Sequence, residues 1–205
     1  MKKSRAALIL VDIQNDFCPG GALAVADGDA VVPVANQLAA KFHERGDLVV
    51  ATQDWHPADH GSFAPVAGVA VGSLGKLGGV PQVFWPVHCV ADTPGASWHP
   101  ALRCDLIDQV FPKGTDRGID SYSGFYDNDH HSSTGLGEYL RQHQVTAVTI
   151  VGLATDYCVA ATARDALAAG LQTTVVAAGC RAVDLQAGDG QRTLAELAAS
   201  GARII

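Results

Sequence analysis

The run Thr146-Ala147-Val148-Thr149-Ile150-Val151, followed at once by Gly152-Leu153-Ala154-Thr155-Asp156-Tyr157-Cys158, decides the fold. Its β-branched first half reads as a strand buried on both faces, and its second half turns into a helix spanning about Tyr157 to Ala169, stopped by Gly170. The same unit recurs on either side. Upstream, Ala6 to Val11 reads as a strand, a helix from about Asp29 to Arg45 carries Val31, Val34, Leu38 and Phe42 at helical spacing, and Leu48 to Thr52 is the next strand. Downstream of a long irregular stretch, Asp108 to Phe111 is a short strand and Gly137 to Gln142 is helical. Thr173 to Val176, a helix from Gln191 to Ala199 and a short strand Ala202 to Ile205 close the chain. Strands alternating with helices predict a three-layer α/β/α sandwich around a mostly parallel sheet of about six strands. No linker, repeat or low-complexity tract interrupts the pattern, so residues 1–205 are expected to form a single domain.

Composition narrows the function. Of 205 residues 48% are hydrophobic and 17% charged, a globular balance, and the formal net charge of −7 offers no basic stripe for nucleic acid. Apolar runs such as Ala6 to Val11 are far too short to span a bilayer. The basic start Met1-Lys2-Lys3-Ser4-Arg5 imitates a secretory leader, but its apolar run ends at Asp12, which predicts a cytoplasmic protein. Five widely spaced cysteines without a CxxC pair are neither a disulfide framework nor a zinc knuckle. The low charged fraction and a mean hydropathy of +0.14 are compatible with a homo-oligomer.

In parallel sheets ligands bind beyond the carboxyl ends of the strands. Asp12, Asp54, Lys113 and Cys158 each follow a different strand closely, so their side chains are expected at one edge. Cys158 stands in the opening turn of its helix, with Thr155 or Asp156 as the expected N-cap, where helix amides favour a thiolate and stabilise an oxyanion. The competing reading is a buried cysteine acting as a small hydrophobe, and that reading is kept for Cys18, Cys89, Cys104 and Cys180. Asp12 is either an acid needing a partner at the end of an apolar strand or an Asx turn leading into Asn15-Asp16. Lys113 is either that partner or a solvated turn lysine. Together Asp12, Lys113 and Cys158 make a nucleophile set: lysine supports the thiolate, aspartate removes and later delivers the proton.

Asp54-Trp55-His56 sets a carboxylate beside an imidazole, a pair suited to a divalent ion such as zinc, iron or manganese. The third ligand is expected from the irregular stretch between Asp54 and Asp105: His88 first, His60 in reserve. The run Asp127-Asn128-Asp129-His130-His131 borders Ser132-Ser133 and reads as solvated loop.

Six motifs then fall in one order: Ala7 to Phe17, Thr52 to Pro57, Trp85 to Val90, Phe111 to Gly114, Tyr122 to Phe125, and Gly152 to Val159. In this the whole chain resembles the nicotinamidases (pyrazinamidases) of the isochorismatase-like cysteine hydrolases. The resemblance implies a catalytic triad of Asp12, Lys113 and Cys158 and a metal ion, zinc foremost, held by Asp54, His56 and His88. It also implies a cis peptide between Leu153 and Ala154, an oxyanion hole from the Ala154 and Cys158 amides, and a ring pocket of Phe17, Leu23, Trp85 and Tyr122. Family members differ around His60 and Ser62, where a further ligand is supplied in some. True isochorismatases lack the nucleophilic cysteine that this chain keeps. The implied activity is a metal-dependent amidase that converts nicotinamide to nicotinate and ammonia in NAD salvage, and also deamidates pyrazinamide, through a thioester on Cys158. Two rivals are a related amidase for another small carboxamide and a hydrolase using metal-bound water with a structural Cys158. A ligand-binding or redox-sensing protein is the non-enzymatic alternative.

Overall fold

The computed structural model describes residues 5–205; the basic stretch from Met1 to Ser4 lies outside them. Six strands form one parallel sheet: β1 (Arg5–Val11), β2 (Leu48–Asp54), β5 (Gln109–Lys113), β6 (Val145–Leu153), β7 (Gln172–Arg181) and β8 (Arg203–Ile204). Their order across the sheet is β5-β2-β1-β6-β7-β8. Between them come helices α1 (Val31–Glu44), α3 (Leu136–Gln142), α4 (Ala160–Ala168) and α5 (Asp189–Ala199).

Strand β1 explains the layering. Its residues alternate sides, so Ala7, Ile9 and Val11 pack into one core while Leu8 and Leu10 pack into the other, and all five are fully buried. The first core lies against α3, α4 and α5 through Leu136, Leu140, Ala160, Ala163, Ala166 and Leu197. The second lies against α1 and the loops that carry Phe17, Val25 and Leu102. Each fully buried aliphatic side chain stabilises the sheet by roughly 1.5–3 kcal/mol. The expected three-layer architecture is the one observed.

Several boundaries differ from expectation. Helix α1 buries Val31, Val32, Ala35, Ala39 and Phe42, whereas Val34 and Leu38 are only half-buried. The two alanines let the helix close onto the sheet, which turns its inner face away from the larger residues. Strand β7 runs on to Arg181, five residues past Val176, after a register shift against β6 between Ile150 and Gly152. The irregular stretch holds a short helix α2 (Ala64–Ala67) and an antiparallel hairpin, β3 (Leu74–Leu77) with β4 (Val80–Val83). Leu74 is 81% exposed, so this hairpin buries no regular face that a sequence pattern could display.

Chain direction then places the site. From β1 the sheet grows one way through β2 and the other way through β6, which opens a crevice at the carboxyl ends of β1 and β6. Parallel pairing sets Val11 opposite both Thr52 and Gly152, and Asp54 opposite Lys113. Asp12, Asp54, Lys113 and the turn after Leu153 therefore arrive at one edge. Among the described residues, no helix is long and apolar enough to cross a membrane.

Candidate active site

Lys113 is the centre of the arrangement. It is the last residue of β5, nearly wholly buried, and its Nζ donates to Asp54 Oδ1 through a very short contact, to the Ser121 carbonyl at 2.9 Å and to Cys158 Sγ at 3.4 Å, while Asp12 Oδ2 forms an ion pair with it at 2.9 Å. Those acceptors use its three protons. Cys158 Sγ thus receives a hydrogen bond as well as the ammonium's charge, whereas Asp12 Oδ2 is paired with it by charge and has no hydrogen-bond donor. Burial works against the ammonium, but Asp12 and Asp54 hold its pKa well above the ordinary lysine value. The solvated-turn reading of Lys113 is excluded.

Asp12 follows β1 in a left-handed conformation, φ 49°, with no exposed surface. Thr52 Oγ1 donates to its Oδ1 at 2.7 Å, leaving Oδ2 for Lys113. Burial pushes its pKa up to about 6, against the pull of Lys113. Asp54 moves the other way: burial is outweighed by Lys113 and His56, and its pKa is held well below the carboxylate range. One acid is thus poised to take a proton near neutrality and the other stays ionised.

Cys158 sits in a wide π-helical turn, Thr155–Val159, that precedes α4, and the expected cap is different. Ala154 occupies the cap position, and no side chain bonds there. Asp156 instead accepts the Val183 and Asp184 amides, both at 2.9 Å, fastening the neighbouring loop. The resting sulfur also differs from the thiolate expected at a helix start: burial, then Asp12 and Asp54, push the Cys158 thiol well up, against Lys113. The thiol is neutral beside an acid that can take its proton; reactive atoms of Asp12, Asp54 and Cys158 lie within 4.8 Å of one another. The Leu153–Ala154 peptide is cis, as the resemblance implied.

Asp54 also faces a second group. Its Oδ2 lies 3.6 Å from His56 Nε2 and 3.8 Å from His88 Nε2. Both histidines donate Nδ1–H to carbonyls at 2.8 Å, His56 to Gly114 and His88 to Pro86, which turns the Nε2 lone pairs inward. Ligand atoms around a tetrahedral ion with bonds of about 2.0–2.2 Å lie roughly 3.3–3.6 Å apart; the His56 separation is at the edge of that range and the His88 separation slightly beyond it, so a shift of a few tenths of an ångström lets this buried set hold a divalent cation. Asp54 raises the His56 pKa against burial, while burial and His56 lower that of His88 to about 4.

His60 is differently engaged. Its ring lies 4.3 Å from that of His56, its Nδ1 bonds Ser62 Oγ at 2.7 Å and its Nε2 the Ile119 carbonyl at 3.2 Å. With both nitrogens so occupied it supports the His56 ring; His56, His60 and Asp120 nonetheless offer ligand atoms within 4.8 Å. Asp127 accepts the His131 and Ser132 amides, as a loop turn does. Cys18, Cys89 and Cys180 are buried as expected, but Cys104 is exposed, because it lies in a surface turn.

Phe17, Leu23, Trp85 and Tyr122 line one cavity together with Asp54, His56, His88, Ala154 and Cys158. The cavity is small and partly open. Trp85 Nε1 donates to Tyr122 Oη at 3.2 Å, and Gln82 Nε2 does so at 3.2 Å, fixing the aromatic wall. Asp120, Tyr157 and Val183 complete the lining and were not anticipated; nor was Thr52 as the partner of Asp12. Asp120 stands two residues before Tyr122, the spacing that shares a face in extended chain, and this was the available signal.

A buried thiol beside an acid and an ammonium, facing a nitrogen–oxygen ligand set across a small apolar cavity, is the equipment of a thiol-dependent hydrolase. A family model, the isochorismatase domain, matches residues 6–205, and the chain belongs to that family. The nicotinamidase of Escherichia coli (strain K12) is 49% identical over 198 residues, 97% of this chain and 93% of that protein. Among solved structures, a nicotinamidase/pyrazinamidase of Acinetobacter baumanii aligns with a TM-score of 0.93 and 41% identity over 100% of this chain and 97% of its own. The pyrazinamidase of Pyrococcus horikoshii, solved in complex with zinc, aligns with a TM-score of 0.81 and 38% identity, covering 98% of each chain.

Proposed function

We propose that residues 1–205 act as one hydrolase domain that converts nicotinamide to nicotinate and ammonia in NAD salvage, and also deamidates pyrazinamide. The observation that carries this reading is that Cys158 and the Asp54–His56–His88 set open into the same cavity, which is walled by aromatic rings. The relatives named above, nicotinamidases and pyrazinamidases, support the same substrate.

In this reading Asp12 takes the Cys158 proton as the sulfur bonds to the carboxamide carbon. The resulting oxyanion is received by the Ala154 and Cys158 amides. Asp12 returns the proton to the amide nitrogen, the carbon–nitrogen bond breaks, ammonia leaves and a thioester remains. Asp12 then takes a proton from a water whose oxygen attacks the thioester carbon; the carbon–sulfur bond breaks and Cys158 recovers its proton as nicotinate departs. Lys113 stays charged throughout, balancing Asp12 and the developing sulfur anion. Asp54, His56 and His88 would hold a divalent ion, zinc in preference to iron or manganese, which when bound supplies a Lewis-acid partner for the pyridine nitrogen. A cytoplasmic location is inferred from five free cysteines.

The test is ammonia release from nicotinamide, with and without a chelator, and before and after modification of Cys158. Release that stops on modification supports the thioester route; release that persists favours metal-bound water as nucleophile and sinks it.

A further inference from the structure

His88 is carried on a loop, unlike Asp54 at a strand end, so something must fix its distance from Asp54. On one side its Nδ1 is held by Pro86. On the other, the next residue, Cys89, takes a left-handed φ of 44° and donates its amide to Asp16 Oδ2 at 2.7 Å. That carboxylate is itself anchored. Its Oδ1 accepts the Ala22 amide at 3.1 Å, the Asp16 amide donates to Gly95 O at 3.0 Å, and the Asp16 carbonyl accepts the Leu23 amide at 3.0 Å. Four bonds thus tie Asp16 to three segments: the 16–23 loop with Phe17 and Leu23, the His88–Cys89 turn, and the loop at Gly95. Gly95 leaves the carboxylate its room, since a Cβ there would lie 2.1 Å from Asp16 Oδ2. The Phe17 ring meets that of His88 edge-on, centroids 5.6 Å apart, within the same frame.

We propose that Asp16 is a positioning residue for His88: its carboxylate, anchored by the 16–23 loop, grips the Cys89 amide and so holds the imidazole at ligand distance from Asp54 and His56. The inference rests on the metal reading above. Asparagine has the same shape but offers one acceptor where two are needed, and its NH₂ faces a second amide donor.

The test is equilibrium zinc competition against a chromophoric chelator, using the wild-type chain, Asp16→Asn and Gly95→Ala, without substrate. Gly95→Ala leaves the carboxylate chemistry intact and displaces only its position. Circular dichroism and thermal unfolding of the metal-free proteins run alongside. Zinc Kd is expected to rise about 10–100-fold in both variants, the usual cost of losing an outer-shell partner. A folded Asp16→Asn with wild-type zinc affinity overturns the proposal, as does a lowered metal-free Tm with unchanged zinc Kd. If Asp16→Asn does not fold, Gly95→Ala decides on the same criterion. A wild-type chain that binds no zinc overturns the metal reading itself, and this inference with it.

Discussion

Exchanging Lys113 for methionine keeps most of the side-chain volume and deletes the charge that two carboxylates and a sulfur share. At the 3.4 Å that separates Nζ from Cys158 Sγ, two unit charges interact by about 5 kcal/mol at an effective dielectric constant of about 20. Losing that attraction pushes the Cys158 thiol still higher in Lys113→Met than in the wild type and reduces its thiolate fraction. A more basic thiolate is intrinsically more nucleophilic, which recovers a little under half of that change, so the rate of alkylation should fall by roughly a hundredfold. The assay is carbamidomethylation of Cys158 at pH 7.5, quantified by peptide mass spectrometry. The exposed Cys104 of the same molecule serves as internal standard, and its rate should not change. The variant also leaves Asp12 and Asp54 facing each other without a cation, a loss of about 3–5 kcal/mol in stability when a buried pair is broken. One carboxylate then binds a proton more tightly than in the unfolded chain, so the variant should weaken further as pH rises above about 4. Cys158 alkylation within threefold of wild type, in a folded variant, would refute the role assigned to the ammonium.

With Asp12 pushed up to about 6, the acid must be ionised to receive the thiol proton, so kcat/KM for ammonia release should fall about tenfold per unit below that pH and level off above it; a profile flat to pH 5 contradicts this. The same shift makes ionisation of Asp12 weaken the fold as pH rises from about 4 to 6, whereas Asp54, held low, stabilises above about 4 and loses that contribution as pH falls. Gly114→Ala should lower zinc affinity about 10–100-fold, because its Cβ would lie 2.3 Å from His56 Cε1 and push the ring off its ligand position. Leu10→Ala, in the fully buried middle of β1, should cost about 2–5 kcal/mol in chemical denaturation while leaving the site residues in place.

How legible all this was varies with the physics behind each element. Strand β1 stands out in the sequence because burial on both faces demands an unbroken apolar run, whereas β6 is marked by its β-branched residues, with Thr146 exposed and Ala147 and Thr149 half-buried against the expectation of burial on both faces. The chain reversal after α1 is marked by Gly46, which has a φ of +72° that only glycine adopts freely. The hairpin β3–β4 was invisible because an exposed ribbon needs no apolar period. The residues at the strand ends, Asp12, Asp54 and Lys113, could be found from topology alone. Their joint use of one ammonium could not, since it depends on the β2–β5 register that sets Asp54 opposite Lys113. Nor could the neutral resting thiol, which reflects burial and two neighbouring carboxylates that sequence spacing does not bring together. Thr52 escaped notice because a strand threonine looks the same whether or not its hydroxyl faces an acid.

The register that aligns Val11 with Thr52 and Gly152, and Asp54 with Lys113, has a consequence for how such a molecule can vary. Acid, ammonium and the nucleophile's turn are indexed by backbone ladders, while Phe17, Leu23 and Trp85 hang from connecting segments outside that lattice. Substitutions of those side chains that keep the Asp16 anchor in place can retune which guest is admitted without disturbing the tools that cut it, so new specificities on this scaffold are reachable by changing the upholstery and leaving the frame alone.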